Sequence, residues 1–195
     1  MIKVAVTGNI GSGKSEFINF ISKLGFYYIS SDVIISNLYK DFKTRSIILQ
    51  KLNLNEKNYK QEIISNIHNE VFNRQLKKVI YPFLYSKKKI LSQKHKTYQP
   101  IFYEVPLLYE ENLSRDYNVT VLIKADINKR RQRVLNRGVS KNYFTLMNSK
   151  QINENIKKNK STFTLDNNGS ILNLRLNIIK LLNELWEKSY LILKP

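Results

Sequence analysis

The feature that most constrains the fold of this chain is the run Gly8-Asn9-Ile10-Gly11-Ser12-Gly13-Lys14-Ser15. It matches the pattern G-x-x-x-x-G-K-[ST] in full and lies between two apolar segments, 2–7 and 16–24. The first segment predicts a strand, and the second predicts a helix that ends at Gly25. A strand, a glycine-rich loop and a helix N-terminus together form a cradle for phosphate groups. The sequence therefore predicts nucleotide binding at this loop.

Each residue type in the run has a chemical role. Gly11 and Gly13 allow backbone conformations and close approaches that a Cβ would block, and successive backbone N–H groups turn toward the ligand. Lys14 is expected to pair with the β- and γ-phosphates, and the Ser15 hydroxyl to ligate Mg²⁺. The predicted nucleotide-binding set is Gly8, Asn9, Ile10, Gly11, Ser12, Gly13, Lys14 and Ser15.

The bulk composition excludes several classes of protein. The 195-residue length suits one domain with subdomains, and the absence of cysteine excludes disulfides and cysteine-ligated metals. The two histidines, His68 and His95, are too few for a dedicated metal site. No apolar run is long enough to cross a bilayer, and no secretory leader precedes the first predicted strand. We therefore expect a cytoplasmic protein without a membrane partner.

The net charge of +18 is the second strong signal in the sequence. Residues 38–98 contain fourteen basic and four acidic residues, and residues 129–160 contain ten basic residues and only Glu154 as an acid. Such a field attracts polyanions, either nucleic acid or phosphorylated small molecules. Because Lys, Asn and Ile are frequent throughout, compositional drift is the alternative explanation for part of the excess.

Four more apolar segments predict strands, at 26–30, 101–105, 117–123 and 162–165. The segments between them predict helices, including a polar, mostly helical stretch at 41–98 that Pro82 should interrupt. Further helices are predicted at 33–40, 127–160 and 170–187. Strands that alternate with helices favour a parallel, doubly wound α/β sheet of five strands. Insertions after the second and fourth strands match the plan of small kinases, with one for the phosphate acceptor and one as a lid.

Further motifs follow the Gly8–Ser15 run in a fixed order along the whole chain. They are Val105-Pro106-Leu107-Leu108-Tyr109-Glu110, the pair Arg133 and Arg137 followed by Gln151, and the turn Asp166-Asn167-Asn168-Gly169. These segments resemble the dephospho-CoA kinase family, whose patterns are V-P-L-L-x-E, R-x-x-x-R followed by Gln, and D-N-x-G. The two patterns V-P-L-L-x-E and D-N-x-G are far more specific than the phosphate loop alone.

The resemblance implies a P-loop NTPase fold of the nucleoside-monophosphate-kinase type, with a five-stranded parallel sheet. It implies that ATP, with Mg²⁺, phosphorylates the ribose 3′-hydroxyl of dephospho-CoA to give coenzyme A and ADP. It also implies three parts, which are a nucleotide-binding core, an acceptor insert and a lid. We expect the core at 1–31, 96–126 and 161–195, the insert at 32–95 and the lid at 127–160.

Asp32 is the predicted general base. It follows the end of the second predicted strand, where open α/β sheets bind ligands, and it could accept the proton of the attacking hydroxyl. The alternative is that Asp32 only caps the next helix, since Asp is a favoured N-cap residue. The family carries a second acid where this chain has Ser30, so we expect one carboxylate at this turn.

The lid residues Arg133 and Arg137 are spaced i, i+4 and should share one helix face. Arg133 is predicted to bind ATP and Arg137 to stabilise the transferring phosphate. For Arg130 and Arg131 we favour a solvated basic face. By resemblance, Asn167 and Gly169 should hold the adenine, although D-N-N-G is also an ordinary turn signal.

Acceptor binding is expected after the third predicted strand and in the helical insert. The predicted acceptor-binding residues are Asp32, Tyr81, Pro106, Leu107, Leu108 and Glu110. Glu110 could equally be a surface charge. Tyr81 stands where the family has His; it can stack on a base and offer a hydroxyl but cannot carry positive charge. Glu104 is a further departure, because the family is usually apolar there.

Two other functions remain open from the sequence. One is a P-loop kinase of another nucleotide-like metabolite, which V-P-L-L-x-E and D-N-x-G argue against. The other is an ATP-using nucleic-acid-binding protein, which the net charge of +18 and the twelve Tyr residues suggest. No known RNA-binding signature is visible, so we expect dephospho-CoA as the partner and no specific nucleic acid.

Overall fold

The computed structural model describes residues 2–66, 69–95 and 99–192, the last five without their side chains. The strands in this part are β1 (Lys3–Thr7), β2 (Tyr28–Ser30), β3 (Ile101–Glu104), β4 (Val119–Lys124) and β5 (Phe163–Asp166). The helices are α1 (Lys14–Lys23), α2 (Ser31–Lys40), α3 (Phe42–Leu52), α4 (Tyr59–Asn66), α5 (Glu70–Lys94), α6 (Ile127–Leu135), α7 (Lys141–Ser149), α8 (Glu154–Lys160) and α9 (Ile171–Ile192).

The strands form one sheet in the order β2-β3-β1-β4-β5. β1 lies at its centre and pairs in parallel with β3, where Val4 faces Phe102, and with β4, where Val4 faces Val119. β4 pairs in parallel with β5. Strands covered by helices on both faces read as continuous apolar runs, as Val4, Ala5 and Val6 do here. The predicted five-stranded α/β fold is confirmed.

Contacts divide the chain into two compact units, residues 1–28 with 97–195, and residues 29–96, with the boundary inside β2. The first unit has its core between the sheet and the helices α1 and α9. That core is made of Val4, Val6, Phe17, Ile18, Ile21, Phe102, Val121, Ile123, Leu174, Ile178, Leu181 and Leu185. Residues 127–160, the expected lid, belong to this unit, and the division into three parts stays a prediction.

The second unit consists mainly of α2, α3, α4 and α5. Its buried apolar residues are Ile34, Leu38, Ile48, Leu49, Ile80 and Leu84. The prediction that Pro82 interrupts the helical pattern is wrong, because α5 runs without a break through it. Proline removes one backbone hydrogen bond, and the burial of Ile80 and Leu84 on either side keeps the segment helical.

The described residues contain no helix that is both long and apolar enough to span a lipid bilayer. The same residues contain no group of three metal-ligating side chains of the His, Cys, Asp or Glu type. His68 lies outside this part of the chain.

Candidate functional site

The loop Gly8–Ser15 joins β1 to α1, as the sequence predicts. Gly8, Gly11 and Gly13 have φ values of 153°, 78° and 107°, which L side chains rarely adopt. The Ser12 N–H donates to the Asn9 carbonyl at 3.0 Å and closes a turn inside the loop. Left-handed residues next to helical ones direct their N–H groups inward, which creates a concave site for an anion.

The N-terminus of α1 opens onto this loop. Its N-cap is Gly13, and no side chain caps it. Since the first N–H groups of a helix have no partner within the helix, they are available to an anion. The Lys14 ammonium donates to the carbonyls of Gly8 at 2.7 Å and Asn9 at 3.4 Å, so it lies across the loop. Ser15 is exposed at the start of α1, where its hydroxyl is accessible to a metal ion.

Close packing explains why two loop positions are glycine. A Cβ on Gly11 would collide with the Arg130 carbonyl, and a Cβ on Gly13 would collide with the Asn167 side-chain amide. Neither neighbour is adjacent in sequence, because Arg130 lies in α6 and Asn167 follows β5. The phosphate loop therefore presses against both elements, and its fit to a phosphate group depends on all three.

Arg130 is not on the solvated face that the sequence predicts, because only 5% of the residue is exposed. The guanidinium donates to the Ala125 carbonyl at 3.0 Å and the Ile10 carbonyl at 3.3 Å. It also donates to Asn148 Oδ1 at 2.8 Å. Arg130 thus connects the phosphate loop to the end of α7.

Arg131 is not on a solvated face either. Its guanidinium lies 5.9 Å from the centroid of the Phe144 ring, within the range of a cation–π contact. The residue is half-buried, and Phe144 is a fully buried part of α7. Arg131 therefore joins α6 to α7, and the interpretation as a free basic face is wrong for both arginines.

Glu154 is the acidic partner of Arg130. The two side chains approach to 3.4 Å, with 6% of the arginine side chain and 12% of the glutamate side chain exposed. Burial raises the pKa of Glu154, and the charge of Arg130 opposes that shift. Burial also lowers the pKa of Arg130. The sequence offered one signal for this pair, since Glu154 is the single acid within 129–160.

The expectation that Arg133 and Arg137 share a helix face is wrong. α6 ends at Leu135, and Arg137 lies in the turn that leads to Gly138, whose φ is 78°. Arg133 donates to the Asn167 carbonyl at 2.7 Å and reaches the Gly11 carbonyl at 3.5 Å. Arg137 is exposed. The structure therefore holds Arg133 beside the phosphate loop and leaves Arg137 at the surface.

The turn Asp166–Gly169 also borders the loop. Asn167 is buried, and its amide donates to the Ser12 carbonyl at 2.8 Å. The Asp166 carboxylate accepts the Asn168 N–H at 2.8 Å and fixes the turn. A Cβ on Gly169 would come within 2.7 Å of the Asn173 side chain. Asn167 therefore lies at the loop, and Gly169 lies beside the first turn of α9.

Residues 151–152 hold the other side of the loop. Gln151 Oε1 accepts the Ile10 N–H at 2.8 Å, and the Ile152 carbonyl accepts from the Asn9 side chain at 3.3 Å. Asn9 is 3% exposed, which identifies its side chain as part of the protein interior. The predicted loop residues Asn9 and Ile10 are thus bound to the segment that leads into α8.

The segment after β3 divides into exposed and buried residues. Pro106 is half-buried and its carbonyl lies 3.4 Å from the Thr7 hydroxyl, while Leu107 is 38% exposed. Leu108 is fully buried, and its contact with a substrate stays a prediction. Its neighbour Tyr109 is also buried and shares a hydrogen bond of 2.8 Å with Ser161.

Glu110 is not a surface charge. Its Oε1 lies 2.7 Å from the ammonium of Lys157, with the lysine side chain 0% and the glutamate side chain 10% exposed. The same oxygen accepts the Ile152 N–H at 2.9 Å. Nothing in the sequence singles out Lys157, because a lysine within a basic stretch usually faces solvent. Glu110 therefore anchors α8, and its binding of a substrate stays a prediction.

Asp32 and Tyr81 belong to the second unit. Asp32 is exposed in the first turn of α2, and Ser30 is the N-cap, with its hydroxyl accepting the Val33 N–H at 3.4 Å. The alternative that Asp32 caps this helix is therefore wrong. Tyr81 is half-buried on α5 and packs edge-to-face against Tyr85 with centroids 5.8 Å apart.

Comparisons with known proteins agree with each other. A family model described as dephospho-CoA kinase matches residues 2–173. The chain is 29% identical over 188 residues to the dephospho-CoA kinase of Rickettsia typhi, which covers 95% of this chain and 98% of that protein. The solved dephospho-CoA kinase from Campylobacter jejuni has a TM-score of 0.64 at 23% identity and covers 96% of this chain and 98% of that one.

A Thermus thermophilus protein solved by crystallography has the same fold. Its TM-score is 0.80 at 23% identity, and the match covers 94% of this chain and 97% of that one. At this level of identity the two solved structures are evidence for the fold alone.

Proposed function

Because the chain belongs to the dephospho-CoA kinase family, whose model matches residues 2–173, we propose that it transfers a phosphoryl group from ATP to the ribose 3′-hydroxyl of dephospho-CoA. The products are coenzyme A and ADP. The observation that carries the transfer step is the uncapped N-terminus of α1 within a loop that contains Gly8, Gly11 and Gly13 at positive φ. Such a site binds phosphate through backbone N–H groups.

The donor side of the proposal rests on the loop and its neighbours. The N–H groups at the start of α1 bind the β- and γ-phosphates of ATP, and Lys14 turns from the Gly8 carbonyl onto them. Ser15, exposed at the start of α1, ligates Mg²⁺. That ion, when bound, neutralises charge on the phosphate oxygens. Arg133 is already beside the loop at the Asn167 carbonyl, and Asn167 and Gly169 contact the adenine.

The acceptor side of the proposal assigns the proton transfer to Asp32. Its exposed carboxylate takes the proton from the 3′-hydroxyl as the oxygen attacks the γ-phosphorus. Tyr81, Pro106 and Leu107 contact the acceptor. Arg137 is exposed in this structure, and it binds the transferring phosphate oxygens when the lid closes. Glu110 contributes to acceptor binding, and its ion pair with Lys157 holds its carboxylate in position.

We also propose a role for the positive charge of the protein and a compartment for the reaction. The basic surface of residues 38–98 and 129–160 attracts the anionic substrates, and the reaction takes place in the cytoplasm. The competing function, ATP-dependent nucleic-acid binding, predicts sequence-selective binding that survives high salt. Binding through counterion release alone is non-specific and declines steeply with salt.

A panel of acceptors tests the proposal. ADP release is measured by a coupled assay with dephospho-CoA, AMP, CMP and single-stranded RNA, at equal ATP and Mg²⁺. We expect turnover with dephospho-CoA and little with the others. Preferred turnover of AMP or CMP would favour the alternative metabolite kinase, and stimulation by RNA would favour the nucleic-acid-binding function.

A further inference from the structure

The helix α9 has apolar residues on two opposite sides. The side that packs on the core of the first unit consists of Leu174, Ile178, Leu181 and Leu185. The opposite side contains four large apolar residues that are 64%, 49%, 42% and 56% exposed, in the order Leu172, Leu176, Ile179 and Trp186. A surface helix normally has polar residues opposite its buried face. This second apolar side therefore indicates a contact surface.

The exposed side of α9 has the spacing of a coiled-coil seam. We call Leu172, Leu176, Ile179, Asn183 and Trp186 the outer stripe; they are separated by four, three, four and three residues, which is a repeat of 3.5. Asn183 is the single polar residue in this series and is exposed. One Asn within such a seam fixes the register and the number of helices at some cost in stability. The spacing therefore favours a second helix as the partner.

The distribution of charge favours a second copy of α9 as that helix. Residues 171–187 contain two basic and two acidic residues, whereas the whole chain has a net charge of +18. Two copies of so basic a protein repel each other over most of their surface. They approach each other at the lowest electrostatic cost where the net charge is zero. Arg175, one of the two basic residues, is also paired within its own chain, with Glu16 at 2.9 Å.

The charges beside the outer stripe favour an antiparallel arrangement. Lys180 and Glu187 are both exposed and are seven residues apart, so they lie on the same edge of the stripe. When two copies of α9 pack antiparallel, Lys180 of each copy is able to pair with Glu187 of the other. A parallel arrangement would place Lys180 beside Arg175 of the second copy, where like charges repel.

From these observations we infer that two copies of this chain associate through α9, with the helices antiparallel about a two-fold axis between Asn183 and Trp186. In this register the Trp186 indole N–H is able to donate to the Asn183 side-chain carbonyl of the second copy. A contact between two helices of this length is small, so we expect a dissociation constant on the order of 1–100 μM. The association does not depend on the proposed function.

Sedimentation velocity of the full chain tests the association. The parent should change from monomer to dimer between about 1 and 300 μM at a salt concentration where the Debye length is about 8 Å. Leu176→Ser/Ile179→Ser removes two apolar side chains from the outer stripe and should raise the dissociation constant by about tenfold or more. Ile47→Ser/Ile90→Ser is the control, since both residues are similarly exposed on helices of the second unit. A parent that stays monomeric throughout this range, or equal association of the two double variants, would overturn the inference.

Charge reversal tests the antiparallel arrangement. Lys180→Glu and Glu187→Lys each replace two ion pairs by two like-charged pairs, so each should weaken the association about tenfold. Lys180→Glu/Glu187→Lys restores both pairs with the charges exchanged and should return the dissociation constant to that of the parent. Stronger association of Lys180→Glu alone would contradict the arrangement, because it would show that Lys180 lies near Arg175 of the second copy.

Trp186 provides an independent measurement, because it is the single tryptophan of the chain. Its burial in the dimer should move the fluorescence maximum to shorter wavelength as the concentration of the parent or the control rises, but not for Leu176→Ser/Ile179→Ser. All variants should keep the Tm of the parent at low concentration, because the altered side chains are exposed. A fluorescence shift that requires phosphatidylglycerol vesicles and is independent of protein concentration would assign the outer stripe to a membrane surface and overturn the inference.

Discussion

The ammonium of Lys157 lies 2.7 Å from the carboxylate of Glu110, and the lysine side chain is fully buried. This ion pair joins the segment after β3 to α8. Ile152 belongs to the same contact, because its N–H donates to Glu110 and its carbonyl accepts from Asn9. A chain of three contacts thus runs from the ion pair to the phosphate loop. Glu110, the glutamate of the V-P-L-L-x-E pattern, therefore holds α8 and residue 152 against the segment after β3.

Replacing one partner of this pair should destabilise the fold strongly. Lys157→Met leaves the Glu110 carboxylate poorly solvated without its cation, which we expect to lower the free energy of unfolding by about 3–5 kcal/mol. The double variant Glu110→Gln/Lys157→Met should recover most of that loss, since neither position then carries a buried charge and the Gln carbonyl still accepts the Ile152 N–H. Urea unfolding measures both, with Lys158→Met on the exposed side of α8 as the control. Equal stability of Lys157→Met and Lys158→Met would contradict this.

The second prediction uses two glycines with the same backbone conformation. Gly11 and Gly138 both have φ of 78°, but a Cβ on Gly138 meets nothing within 4 Å, whereas one on Gly11 collides with the Arg130 carbonyl. Both Ala variants should lose about 1 kcal/mol of stability from the left-handed conformation. Only Gly11→Ala should also lose ATP affinity, because the loop must shift. ATP titration of the two variants checks this, and equal ATP affinities would show that the contact with α6 is unimportant.

The third prediction concerns the pH dependence of stability. Burial raises the pKa of Glu154 above its usual 4.5, against the opposing charges of Arg130, Lys124 and Lys157. The folded chain therefore holds this proton more tightly than the unfolded chain does. Its contribution to stability is complete below pH 4.5 and is lost as the pH rises through the folded pKa.

The variant Glu154→Gln removes this titration. The difference in Tm between parent and Glu154→Gln should change in favour of the variant as the pH is raised from about 4.5 to 7. Thermal unfolding at several pH values measures it, and Glu184→Gln at an exposed position of α9 is the control. A difference in Tm that stays constant over this range would be evidence against a raised pKa.

The fourth prediction separates rate from stability at the start of α2. Asp32→Asn should slow phosphoryl transfer by about a hundred- to ten-thousandfold, which is the usual contribution of a general base. It should change stability little, because Ser30 is the cap. Ser30→Ala should do the opposite, with a loss of about 1 kcal/mol of stability and little change in rate. Single-turnover kinetics and urea unfolding give the transfer rate and the free energy of unfolding of each variant. Full activity of Asp32→Asn would contradict the general-base role, because water or a phosphate oxygen would then accept the proton of the 3′-hydroxyl.

Local patterns predicted the elements of the phosphate cradle. The apolar run at Val4–Val6, the glycines at positions 11 and 13 and the helix after Lys14 are each determined by residues close in sequence. The parallel sheet followed from the alternation of strands and helices. These features depend on short-range backbone preferences and on burial of continuous apolar strands, which a single sequence contains.

Long-range contacts account for what the sequence did not predict. In the sequence, Arg130 is one of several charges on a basic helix. In the structure, residues 148–154 cover it, and its guanidinium contacts Asn148 and Glu154. The end of α6 at Leu135 had a local signal, because Gly138 shortly afterwards adopts a positive φ that is typical of helix C-termini. The i, i+4 spacing of Arg133 and Arg137 instead favours a helix that continues through both residues.

We propose that this chain adds one phosphate from ATP to the 3′-oxygen of dephospho-CoA at the Gly8–Ser15 loop. The most direct measurement is the position of the new phosphate, determined by mass spectrometry and ³¹P NMR of the product, with Lys14→Ala as the matched inactive variant. We predict a product identical to coenzyme A from the parent and none from the folded Lys14→Ala protein, since Lys14 lies across the loop. A phosphate at any other position, or equal product from Lys14→Ala, would contradict this assignment of the reaction and its site.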